Sequence, residues 1–165
     1  MKSMTTKSAK EKILIRRAGK KDAGILADFR YRMFSEMRPD ENYSGKKVRF
    51  IRKSKSYYLT HVGLKSQFDC VAVSGGEVVG CGSILFLDGP PHISHIGTRL
   101  GYILNVYVVS ERRREGIATR IMERLHTEGK RHRIRRVSLH ASTSGYPLYT
   151  GMGYSMNEMY LEKVL

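Results

Sequence analysis

The feature that most constrains this chain is an apolar strand that runs, through a short basic turn, into the start of a helix. Residues 103–109 read as the buried strand, 110–115 as the turn, and Gly116 onward as the helix. The turn carries the spacing Arg113-x-x-Gly116-x-Ala118. The first amides of a helix have no partner within it, and the helix dipole places partial positive charge there. Such an end cradles anions, and a pyrophosphate would fit. Gly116 has no Cβ, so a phosphate can approach the backbone, and Ala118 keeps the next turn clear.

The rest of the chain predicts what surrounds that turn. A length of 165 residues predicts one domain with a real core. Residues 12–17 read as a first strand. Residues 20–37 read as a helix with Ile25, Leu26, Phe29, Met33 and Phe34 on one face, stopped by Pro39-Asp40. Residues 46–62 read as a second, very basic helix, with Val48, Ile51, Leu59 and Val62 at roughly helical spacing. Residues 68–73 and 77–86 form a hairpin about Gly75-Gly76. Residues 99–109 are the long central strand, and 117–132 a helix with Ile117, Ile121 and Leu125 stacked four apart. Residues 136–140 are a strand, 144–152 a short helix, and 154–165 a final strand. The order β-α-α-β-β-β-α-β-α-β, mixing hairpin and crossover connections, predicts an α/β fold with a mixed sheet and helices on its faces. Residues 1–11 are expected to be a flexible basic tail and 12–165 the domain; residues 1–12 have no apolar run of the secretory kind.

Several function classes are excluded. No apolar run reaches the length of a membrane span. No Gly-x-x-x-x-Gly-Lys-Ser/Thr run exists, which removes the P-loop hydrolases. Cys70 and Cys81, the only cysteines, make neither a disulfide framework nor a metal-ligand spacing. Counting back from the Gly75-Gly76 turn places Cys70 opposite Cys81, as two small buried side chains in a cytoplasmic protein.

The net charge of +15 is uneven: residues 1–60 hold 17 Lys/Arg against 6 Asp/Glu, whereas 61–110 hold 2 against 3. A basic surface attracts phosphates of any kind, from nucleic acid to a nucleotide cofactor. Zinc-finger spacing and aromatic RNA-binding signatures are absent from the sequence.

A second motif follows in residues 139–154, with Ser142, Tyr149, Gly153 and Tyr154 as its marked positions. Read with the first, it resembles the GNAT superfamily of N-acetyltransferases. Arg113, Gly116 and Ala118 fill that family's Gln/Arg-x-x-Gly-x-Gly/Ala pattern. Tyr149, Gly153 and Tyr154 fill its Tyr-x-x-x-Gly-Phe pattern, with Tyr154 in place of Phe. The resemblance spans about residues 12–165.

The resemblance implies acetyl-coenzyme A as co-substrate. Its pantetheine arm would lie along Val106, Tyr107 and Val108. Its pyrophosphate would lie on the turn at Arg113, Arg114, Glu115, Gly116, Ile117, Ala118 and Thr119, mostly through main-chain contacts. Ser142 stands where many members carry an Asn that contacts the cofactor. The implied reaction is direct attack of a primary amine on the thioester, with the backbone N–H of Val106 holding the oxyanion. Tyr149 occupies the general-acid position; a phenol near pKa 10 is well matched to a thiolate near 8.5.

The general base stays open. The strand carries no carboxylate, and Glu36, Glu41, His61, His92, His95, His140 or a water chain are the candidates. The acceptor side is expected near residues 30–65 and 88–99. Its basic surround (Arg30, Arg32, Arg38, Lys46, Lys47, Arg49) favours an acidic acceptor over a polycation. The resemblance also allows a homodimer. The alternative is a basic nucleic-acid- or ribosome-associated binding module on the same fold.

Overall fold

The computed structural model describes residues 11–91, 93, 96–156 and 163. One sheet runs in the order β1 (Leu14–Arg17), β2 (Gln67–Ser74), β3 (Glu77–Asp88), β4 (Arg99–Val108), β5 (Val137–Leu139). The first four strands are antiparallel neighbours, and β5 joins β4 in parallel. Helices α1 (Ala23–Met37) and α2 (Lys47–His61) connect β1 to β2, α3 (Ile117–Arg131) connects β4 to β5, and α4 (Tyr146–Gly151) follows. This is the mixed α/β fold that the element order predicts. Of the expected final strand, residues 154–156 and 163 are not strand, and the others lie outside the described residues. The expected tail also lies outside them, save Glu11, whose carboxylate accepts the Ser74 hydroxyl at 2.9 Å.

Both faces of the sheet are buried, and the two-residue period of a strand sorts its side chains between them. Cys70 and Ala72 join Ile84, Ile103 and the α3 residues Ile117, Ile121, Met122 and Leu125 in one core. Val71, Cys81 and Tyr107 join Leu26, Phe29 and Tyr58 of α1 and α2 in the other. The stripe Ile117, Ile121, Leu125 is at most 1% exposed, which fixes α3 on the sheet and hence the place where it begins. The start of α1 is held differently. Arg16 on β1 binds both carboxylate oxygens of Asp22 at 2.8 Å, and Asp22 also accepts the Gly19 amide. The Arg16 bonds hold the Asp22 carboxyl below its ordinary range.

Two expectations are corrected. Cys70 pairs with Gly82 and Val71 with Cys81, because the register slips between Ala72 and Val73. One extra residue in β3 turns the two cysteines to opposite faces of the sheet, where they cannot meet. On α2, Val48 is 81% exposed and Leu59 40%. The face that meets the sheet runs instead through Ile51, Tyr58 and Val62, with Tyr58 at 1% exposure.

Candidate active site

Strand β4 has neighbours on both sides only over its first half. Its pairing with β5 ends at Ile103 with Leu139, and among the described residues Leu104 to Val108 has no strand on that side. On the other side it follows β3 to Val108, but with a slip: Tyr107 faces Cys81 and Leu104 faces Ser83. Asn105 and Val106 therefore stand opposite the single residue Gly82, a β-bulge that bends the strand where β5 departs. Asn105 sits at φ 56°, a left-handed conformation that its short polar side chain tolerates. It is 2% exposed, and its Nδ2 donates to the Tyr58 hydroxyl at 2.9 Å. The result is a strand edge that opens into a cleft.

The cleft leads to the start of α3. Arg114 at φ 66° and Gly116 at φ 75° place two left-handed residues in the turn, which aims successive amides into one concavity. Gly116 is the N-cap and offers no side-chain acceptor. The amides of Ile117, Ala118 and Thr119 have no partner inside the helix; the first helical bond is Arg120 N to Gly116 O at 3.1 Å. A Cβ at Gly116 would meet no atom within 4 Å, so it would stand in the open space in front of those amides. Ile117 is buried and Ala118 packs on the core, so the cradle is main-chain in character.

The arginines of the turn divide their work. Arg112 binds Glu115 through two contacts at 3.0 Å, turning that carboxylate sideways. Arg113 donates from Nε to the Val108 carbonyl at 2.9 Å, lies 5.5 Å from the centre of the Tyr107 ring and pairs with Glu36. Arg120 donates to the Ile13 carbonyl at 2.8 Å. Arg114 makes no ion pair or hydrogen bond among the described residues. Arg113 and Glu115, expected at the cofactor, thus engage their side chains with the protein, and the Arg113 amide donates to the Ser110 carbonyl at 3.3 Å.

Val106 and Val108 turn toward the α3 core, and Tyr107 turns toward α1, where its hydroxyl donates to Glu36 at 2.7 Å. Burial, helped by Glu36, pushes the Tyr107 phenol up to about 12. Tyr149 lies on α4 with its ring against the α3 core and 5.9 Å from the Tyr154 ring. Its hydroxyl makes no hydrogen bond among the described residues, and burial raises its pKa. Gly145 allows this position, since a Cβ there would come within 3.0 Å of the Tyr149 ring. Tyr154 is bound in turn to His126 Nε2 at 2.7 Å, which fastens α4 to α3. Ser142 accepts the Gly145 amide at 3.1 Å and so shapes the entry to α4.

Of the candidate bases, Glu36 lies in the last turn of α1 and is held by Tyr107 and Arg113. Glu41 accepts from Arg38 and Tyr43, and these bonds pull its pKa down. His61 stacks on Tyr57 with centroids 4.0 Å apart. His140 meets the Tyr102 hydroxyl at 2.6 Å, beside the last paired residues of β4 and β5. His92 and His95 lie outside the described residues.

Sequence reasoning passed over a buried polar chain on the α2 side of the sheet. Tyr57 donates to Gln67, whose Nε2 bonds Asp69 at 2.8 and 2.9 Å, and Ser83 donates to Asp69 at 2.6 Å. The signal was present: Asp69 interrupts an otherwise apolar strand. Burial raises the Asp69 pKa, and the bonds from Ser83 and Gln67 oppose that rise. Beside this chain, residues of α1, α2 and Leu104 line an open cavity of about 680 Å3. It opens two residues along β4 from Val106.

Residues 30–154 match the Acetyltransferase (GNAT) family, and the chain belongs to that family. No curated protein matches the chain. Among solved structures, a predicted acetyltransferase from Clostridium acetobutylicum, crystallised with acetyl-CoA, is 26% identical with a TM-score of 0.82, over 93% of this chain and 96% of that one. A GCN5-related N-acetyltransferase from Ralstonia eutropha JMP134 is 27% identical with a TM-score of 0.83, over 93% of this chain and 99% of that one. Among the described residues no helix is long and apolar enough to cross a membrane.

Proposed function

We infer that the protein is an acetyl-CoA-dependent N-acetyltransferase acting on a primary amine by direct attack. One observation carries the reading: the edge of β4, unpaired beyond Ile103 among the described residues, leads through a short 3-10 turn at Ser110–Arg112 into an uncapped helix start whose N-cap glycine leaves open space. The edge suits an extended amide-bearing arm, which can pair with backbone as an added strand does. The helix start suits a pyrophosphate. Val106, Tyr107 and Val108 would hold the arm. The amides of residues 114–119 would hold the phosphates, with Arg114 the side chain free to assist. Bound there, acetyl-CoA supplies an activated acetyl thioester.

The chain's own groups then act on it. The Val106 N–H donates to the carbonyl oxygen as negative charge develops there. As the C–N bond forms and the C–S bond breaks, Tyr149 would give its hydroxyl proton to the departing thiolate and recover the proton that the amine sheds. Its raised pKa keeps it protonated throughout the neutral range, and its hydroxyl has no competing partner among the described residues. Ser142 shapes the turn before α4 and so places Tyr149.

The test is release of free thiol from acetyl-CoA with a panel of primary amines. Amine-dependent release by the wild type, lost in Tyr149→Phe with acetyl-CoA affinity retained, supports the reading. Tight binding of RNA together with no amine-dependent release would favour the binding-module reading instead.

A further inference from the structure

The cavity between α1, α2 and β4 has an unusual wall. Four of its nine lining residues are cations: Arg30 from α1, Lys46 just before α2, and Arg49 and Lys53 from the first half of α2. None of the four is in an ion pair among the described residues. Carboxylates on the same part of the chain are engaged elsewhere, Asp28 by Arg32 at 2.7 Å and Glu41 by Arg38 at 2.8 Å. Asp69 is turned to Gln67 and Ser83. Lys46, Arg49 and Lys53 are three and four residues apart, a spacing at which like charges on a helix repel. Lys46, Arg49 and Lys53 are exposed, as are Arg52 and Lys55 of the same segment, but Arg52 and Lys55 do not line the cavity.

The remaining wall is Leu104, Ser54 and the aromatic rings of Phe50, Tyr57 and Tyr58. Leu104 is the first β4 residue beyond the pairing with β5 and next to the bulge. The cavity therefore ends at the strand edge assigned above to the thioester. Its volume of about 680 Å3 falls in the range of small-molecule sites.

We propose that this cavity is the acceptor site and that its acceptor is a small primary amine bearing a dianionic group, a phosphate monoester or paired carboxylates. The α2 cations bind the dianion, the rings cover the body of the molecule, and the amine is delivered to the β4 edge at Leu104. The cavity's role as acceptor site rests on the acetyl-transfer reading; its affinity for a dianion does not. Of the six cations that the sequence placed near the acceptor, Arg30, Lys46 and Arg49 line the cavity. Arg32 and Arg38 are paired with carboxylates, and Lys47 lies 5.4 Å from the centre of the Tyr31 ring. Lys53 is the addition.

Two measurements test this together. In the first, inorganic pyrophosphate is titrated into protein saturated with coenzyme A, so that the helix cradle is occupied. Two double variants of equal net charge are compared: Arg49→Gln with Lys53→Gln, and Arg52→Gln with Lys55→Gln. The proposal predicts one saturable site, weakened roughly tenfold or more by the first pair and unchanged by the second. Equal loss in both pairs, or no binding, overturns it.

In the second, kcat/KM is compared within matched acceptors: ethanolamine against O-phosphoethanolamine, glucosamine against its 6-phosphate, and alanine against aspartate. A preference of roughly tenfold for the anionic member, abolished by Arg49→Gln with Lys53→Gln, is the expected result. The phosphate and carboxylate arms tell the two dianions apart. Equal rates within every pair, or faster acetylation of an acidic peptide than of any small amine, overturn the proposal. If acetyl-CoA fails to bind at all, the acetyl-transfer reading fails, and the difference in pyrophosphate binding between the two double variants still decides the anion site.

Discussion

Arg113 and Glu36 stand 77 residues apart in sequence and form an ion pair at the mouth of the cleft. The other oxygen of Glu36 accepts the Tyr107 hydroxyl, and Arg113 also holds the Val108 carbonyl. One arginine thus ties the end of β4 to the last turn of α1. The residue that the resemblance places at the cofactor also links β4 to α1. Removing it should act on stability first. Arg113→Ala is expected to cost about 1 kcal/mol, because the pair is half exposed and only the bond to Val108 is well sheltered. Thermal melting should show the loss, while acetyl-CoA affinity moves less than it does in a Gly116 variant.

Gly116 tests the cradle. Gly116→Val places a branched Cβ in the open space before the α3 amides and forces a left-handed backbone on a residue that resists it. The strain alone costs about 1–2 kcal/mol. Gly116→Asn relieves much of the strain but keeps the Cβ. Both should weaken acetyl-CoA binding, and only the first should lower the melting temperature by the full amount. Normal affinity in the Asn variant would mean that no phosphate approaches this glycine.

Tyr149 offers a cleaner catalytic test than most tyrosines. Its hydroxyl has no hydrogen-bond partner among the described residues, so Tyr149→Phe removes no structural bond. The melting temperature and acetyl-CoA affinity should stay near wild type while kcat falls by roughly a hundredfold or more. Steady-state kinetics beside calorimetry separates the two effects. An unchanged kcat would remove Tyr149 from proton transfer.

Asn105 holds the bulge that opens the strand edge. Asn105→Ala loses the bond to Tyr58 and meets left-handed strain, together about 2–3 kcal/mol. Asn105→Gly restores the backbone and loses the bond alone. Denaturant unfolding should rank the wild type above Gly and Gly above Ala.

His126 gives a pH signature. Burial, with Lys130 nearby, lowers its pKa below the ordinary histidine value near 6.5. The unfolded chain therefore binds a proton that the folded chain resists, so stability is full above pH 6.5 and declines as pH falls below it. Melting temperatures measured downward from pH 7.5 should show the decline, and His126→Gln should flatten it.

The elements that sequence reasoning placed well are those with strong local signals. The stripe Ile117, Ile121, Leu125 and the glycine turn before it declare both the helix and its start. The hairpin about Gly75-Gly76 declares its own turn, with Ser74 facing Glu77. What local pattern could not reveal were the two slips of register. One, between Ala72 and Val73, separates the cysteines; the other, at Asn105 and Val106, opens the cleft. A bulge costs one residue of register and leaves little trace in an apolar run. The cavity proposed as the acceptor site was legible only as charge. Tertiary packing decided which cations line it, because α2 turned Tyr58 inward and left Val48 and Leu59 outside.

The most direct test is calorimetric titration of the protein with acetyl-CoA at elevated salt, with ATP as a control polyanion. Saturable one-site binding of acetyl-CoA, with none for ATP, is the predicted result. No binding, or equal and salt-sensitive binding of both, would contradict it: the signal would then belong to the basic surface, and the cleft between β4 and α3 would hold no cofactor.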